Sequence, residues 1–101
     1  MAYESGSFEA AIAAASGEDA ELHAQLIAGF VESVQTQIDL LGRARCDGNW
    51  EVAAMRLKDL GASFHDGELV ALAERALDSA PGDPVAVRHL MDYSVRLTAK
   101  I

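Results

Sequence analysis

The sequence has no pair of cysteines: Cys46 stands alone among 101 residues. That excludes an intramolecular disulfide and a cysteine-based zinc finger. A lone thiol behind no secretory signal points to a reducing, cytoplasmic setting. Proline is nearly as scarce. Pro81 and Pro84 sit together near the end, so everything before them is free of proline breaks and open to long helices. Aromatic residues make up 6% of the chain, too few for a typical sheet core, and an all-β fold is excluded along with collagen-like and disordered chains. No apolar run approaches the roughly 18 residues of a membrane span. The alanine-rich stretch at 10–15 is short and lacks the basic flank of a signal peptide. Basic residues are absent before Arg43, and the net charge of −8 argues against sequence-independent phosphate or nucleic-acid binding.

What is present is alanine, 19 residues of it, within a chain that is 50% hydrophobic. Alanine is the best helix former and adds little bulk, so closely packed helices are expected in one small domain. Charge is divided unevenly. Residues 1–42 hold seven acids and no base, and residues 43–101 hold nine acids and eight bases. A surface for an anionic partner therefore belongs to the second half.

Apolar spacing sets out the helices. Ser7 can cap a short helix at about 8–15, with Phe8, Ile12 and Ala15 on one side. Ser16 and Asp19 resemble a capping box with Asp in place of Glu. Leu22, Leu26, Phe30, Val34, Ile38 and Leu41 then mark one amphipathic helix over 18–45, roughly 40 Å long. The turn at 46–49 offers Asn49 as the next cap, and Trp50, Ala53, Leu57, Leu60 and Phe64 form the buried stripe of a helix over 50–64. Asp66 and Gly67 separate it from a helix carrying Leu69, Leu72, Ala73, Ala76 and Leu77. Residues 79–84 are the clearest break, with Asp83 as cap and Pro84 in the first turn. Val87, Leu90, Met91, Ser94, Leu97 and Ile101 face the core from the last helix. The expected fold is all-α: an antiparallel up-and-down four-helix bundle over 16–101, preceded by a short N-terminal helix.

One residue breaks the pattern. With about 100° per residue and Ala53 at zero, Met55 falls at roughly 200°, opposite the buried stripe. Glu51, Lys58, Asp59 and Ala62 cluster around it. Spacing alone thus puts an apolar side chain at the centre of a wet helix face, which is unremarkable for an isolated Met.

Residues 54–64, Ala-Met-Arg-Leu-Lys-Asp-Leu-Gly-Ala-Ser-Phe, followed by Leu69 and Leu72, resemble the histidine-containing phosphotransfer (HPt) domain of bacterial two-component phosphorelays. The family pattern runs approximately A-H-x-L-K-G-S-x-x-x-x-G-A into a leucine-rich helix. Gly48-Asn49-Trp50 is similar to the family's GDW turn, and residues 19–30 to its first long helix. The likeness covers about 16–98. It implies a four-helix bundle whose exposed imidazole relays a phosphoryl group between receiver-domain aspartates. Met55 stands at the phosphoacceptor position, Lys58 at the lysine that offsets the phosphoryl charge, and Asp59 at the glycine that leaves room for docking. Two departures act together. A thioether has no basic nitrogen to accept a phosphoryl group. The Asp59 carboxylate opposes an incoming dianion by about 1–3 kcal/mol at close range. The resemblance therefore implies a pseudo-phosphotransferase: no enzyme and no cofactor, but a signalling module that binds a receiver domain or histidine kinase through Glu51, Met55, Lys58, Asp59 and Ala62.

Other residues offer less. His65 reads as a helix C-terminal cation or cap. His23 and His89 read as surface or rim histidines, Cys46 as a partly buried thiol, and Ser63 has no His/Asp partner in view. No histidine has ligand spacing for a metal. Two rival readings remain: a phosphocarrier that uses one of these histidines, and a helical scaffold or oligomerisation module outside signalling.

Overall fold

The structure, a computed structural model, describes residues 2–17 and 19–100, with side chains from residue 8 onward. Five helices follow one another: α1 (Ala2–Ser16), α2 (Ala20–Arg43), α3 (Asp47–Ser63), α4 (Gly67–Asp78) and α5 (Pro84–Lys100). Among the described residues there is no strand, and no helix is long and apolar enough to cross a membrane.

The breaks lie close to where the turn residues put them, but several caps differ from expectation. The first helix begins at Ala2, so residue 7 has helical backbone and is not a cap. Ser16 ends this helix instead of starting the next. It is buried, its hydroxyl donates to the Ile12 carbonyl at 2.8 Å, and Gly17 follows in a left-handed conformation (φ 61°). Asp19 alone caps α2, accepting from the Leu22 amide at 3.0 Å. The N-cap of α3 is Cys46 rather than Asn49, which lies within the first turn. Cys46 is extended (φ −143°, ψ 162°), makes no side-chain cap bond and is exposed, not partly buried. What anchors this end is Trp50, buried with its indole N–H donating to the Ala76 carbonyl of α4 at 2.8 Å.

The α3–α4 corner is a Schellman turn. The His65 amide bonds to the Ala62 carbonyl (3.3 Å) and the Asp66 amide to that of Gly61 (2.7 Å), with His65 itself left-handed at φ 56°. His65 thus ends the helix through its backbone. Asp66 then does two things: Oδ1 accepts from the Leu69 amide at 3.1 Å, capping α4, and Oδ2 accepts from the Tyr93 hydroxyl of α5 at 2.5 Å. Burial, followed by that hydrogen bond, pushes the Tyr93 phenol far above its ordinary range. Asp83 starts α5 as expected, accepting from the Val85 amide at 2.9 Å.

Packing follows from these corners. α3 lies against α2 and α4, α5 against α2 and α4, and α1 against α2. The core is one cluster, including Phe30, Val34, Ile38, Leu41, Trp50, Leu57, Leu69, Leu90, Tyr93 and Leu97. Gly61 permits the tightest approach: an added Cβ would come within 2.9 Å of the Val70 amide nitrogen. Phe8, Phe30 and Phe64 meet at one end, with centroids 5.1 Å (Phe8–Phe30) and 4.6 Å (Phe30–Phe64) apart.

Some expected core positions are not core. Leu22 is exposed and Leu26 half-buried, because α2, about 36 Å long at 1.5 Å per residue, outruns its 17-residue neighbours α3 and α5. Met91 is 55% exposed, since it is rotated about 100° from Leu90 and the α5 stripe is Ala86, Leu90, Tyr93 and Leu97. Leu60, Phe64, Leu72, Leu77, Val87 and Ser94 are half-buried at the core margin, and Ala15 is exposed where Ser16 turns inward. Ile101 lies outside the described residues.

Candidate functional site

Ala53, Ala54, Leu57 and Gly61 are buried between α2 and α4, which leaves the opposite side of α3 to solvent. On that side Glu51, Met55, Asp59 and Ala62 are exposed and Lys58 is partly so, as the helical wheel required. Met55 is 41% exposed, near the middle of the helix. Its two charged neighbours diverge. The Lys58 ammonium leans toward α4, 3.6 Å from Glu74 Oε2. Asp59 lies on the α2 side, in the wall of a cleft.

That cleft is the feature the sequence reading missed. Its volume is about 620 Å³, it runs between α2 and α3, and Leu60 and Phe64 supply its apolar lining. Glu32, Ser33, Thr36 and Gln37 line it from α2, and Arg56, Asp59 and Ser63 from α3. The Oε1 atom of Gln37 is buried and accepts no hydrogen bond. Phe30 stacks near Phe64 while residues 44–46 join the opposite ends, so α2 and α3 run back along one another. Leu40, one turn beyond Thr36, and Val52, one turn before Arg56, therefore lie toward the same end of the cleft. They are 44% and 48% exposed. A signal for this groove was present: Gly29, Ser33 and Gln37 recur every four residues beside the Phe30–Val34–Ile38 stripe, a row too small or polar to seal the α2–α3 flank.

The remaining sequence candidates are dispersed. His65 is at the Schellman turn, His23 is half-buried on α2, and His89 is exposed on α5. Ser63 lines the cleft without a histidine beside it. No three of the His, Cys, Asp and Glu side chains among the described residues are grouped to hold a metal ion. Around Met55 the exposed face presents a polarizable apolar side chain flanked by separated charges, Lys58 toward α4 and Asp59 toward the cleft. Compared with protein-family models, curated proteins and solved structures, the chain matches none of them.

Proposed function

We propose that this chain is a degenerate HPt-like module of a phosphorelay, acting in the cytoplasm by docking onto a receiver domain or histidine kinase and carrying no phosphoryl group. In this reading α2–α5 form the antiparallel up-and-down four-helix bundle, and α1 is laid along α2. The observation that carries it is the exposure of Met55 in mid-α3 with Lys58 and Asp59 on either side, because the family's motif demands a solvent-facing residue there. The corner after α3 adds support. Aligned on Met55, the last glycine of the family pattern falls on His65, the residue whose φ of 56° favours glycine. The thioether excludes Met55 itself from forming a phosphoramidate, whereas an adaptable apolar side chain suits an interface.

The test restores what is missing. Met55→His with Asp59→Gly places an imidazole on the exposed face, keeps Lys58 one turn away and removes the opposing carboxylate. After incubation with phosphorylated receivers, the wild type should carry no acid-labile phosphate and the double variant should. Receiver binding by the wild type is measured in parallel. Labelling of the wild type at His65 or another histidine would overturn the reading in favour of an active carrier. Self-association without receiver binding would overturn it in favour of a scaffold.

A further inference from the structure

The cleft beside Met55 has an electrostatic character of its own. Glu32 stands on its α2 wall and Asp59 on its α3 wall, and neither carboxylate is within ion-pairing distance of a cation among the described residues. Arg56 shares the α3 wall, leaving the charged lining with one negative charge in excess. The α2 wall of the cleft has no cation, and the arginine that ends α2, Arg43, pairs with Asp39 at 3.2 Å. Ser33 and Thr36 add hydroxyls to the α2 wall and Ser63 one to the α3 wall. An anion entering the same space would meet both carboxylates. Toward one end of the cleft further apolar side chains are exposed, with Leu40 and Val52 one turn away and Met55 on the adjoining face of α3.

We infer that the α2–α3 cleft docks a basic amphipathic segment of a partner protein, an arginine or lysine side chain entering between Glu32 and Asp59 while apolar neighbours rest on Leu40, Val52 and Met55. The inference rests on the reading of the Met55 face as a docking surface and names the chemistry of what docks there. A guanidinium matches the lining well. Its fork presents donors toward both carboxylates, while its methylene stem packs on Leu60 and Phe64. Complementary charge then selects the partner, and the apolar rim supplies area.

The probes are a short N-acetylated helical peptide with one arginine among leucines and alanines, and the same peptide with neutral citrulline in its place. Each is titrated into the isotope-labelled full chain and followed by amide chemical shifts. The arginine peptide should shift residues 29–40 and 52–63 and bind about tenfold more tightly than the citrulline peptide. Raising the salt should narrow that gap. Glu32→Gln and Asp59→Asn, both at exposed positions that leave the helical spectrum intact, should each weaken the arginine peptide by about fivefold or more and leave the citrulline peptide unchanged. Equal affinity of the two peptides, shifts on another face, indifference to both variants, or no binding would overturn the inference. Receiver binding is read separately on the same samples. A chain that binds a receiver while its cleft ignores the arginine overturns this inference alone. A chain that takes the arginine peptide in the cleft but binds no receiver or kinase supports the inference and overturns the reading beneath it.

Discussion

Removing the Asp66 side chain tests whether one carboxylate ties three helices together. Asp66→Ala deletes the cap of α4, worth about 1 kcal/mol. It also strands the Tyr93 hydroxyl, whose residue is 3% exposed, at a further cost of about 1–3 kcal/mol. The expected loss is about 2–4 kcal/mol. Tyr93→Phe removes the donor but leaves Asp66 half-exposed to water with its cap intact, so it should cost about 1 kcal/mol. The two changes should not add. In Asp66→Ala/Tyr93→Phe no buried hydroxyl is orphaned, and the double variant should be more stable than Asp66→Ala by itself. Asp66→Asn, which still caps and still accepts, should cost less than about 1 kcal/mol. Urea unfolding followed by helical circular dichroism measures all four. Additive losses would mean that the Tyr93–Asp66 bond contributes nothing and the reasoning fails. The same bond predicts alkaline sensitivity. The folded phenol holds its proton above pH ~10, where the unfolded phenol releases it, so the folded state binds more protons and stability falls as pH rises. The slope from this group is about 1.4 kcal/mol per pH unit from pH ~10 upward, and Tyr93→Phe should remove it.

Two further substitutions probe the α3–α4 corner. Gly61→Ala gains about 1 kcal/mol of helix propensity but drives a Cβ to 2.9 Å from the Val70 amide nitrogen and 3.1 Å from the Asp66 carbonyl, backbone atoms that no rotamer change can clear. Overpacking should win, and thermal unfolding should show a net loss of about 1–2 kcal/mol. A stabilised variant would mean that the two helices part freely there. His65→Gly should act in the opposite direction, relieving the left-handed strain and stabilising by about 0.5–1 kcal/mol after the entropy of the unfolded glycine is counted. An unchanged denaturation midpoint would show that the turn carries no strain.

Periodicity and turn chemistry settled the existence of each helix and the approximate place of each break, because both act within a few residues along the chain. The exposure of Met55 was legible for the same reason. Once Ala53, Leu57 and Leu60 define one side of α3, geometry assigns the other. Asp66 and Asp83 were readable as punctuation, although nothing local revealed that Asp66 would also receive a hydroxyl from Tyr93, 27 positions away in sequence.

Only the tertiary structure decided which of several apolar residues were buried. Leu22 and Met91 satisfy the helical pattern yet face solvent, because burial depends on how long the neighbouring helices are and which stripe they cover. Conversely, Ala54 and Gly61 lie outside the stripe that periodicity draws on α3 and are buried, since α4 comes close enough to need residues that small. The cleft, too, exists only between two helices. Glu32 and Asp59 are ordinary surface acids on their own segments, and they become opposite walls of one slot when α2 and α3 pack. Local sequence can specify the helix and its wet face. Which charges meet across a groove is set by the separation and register of two helices, quantities that no single segment contains.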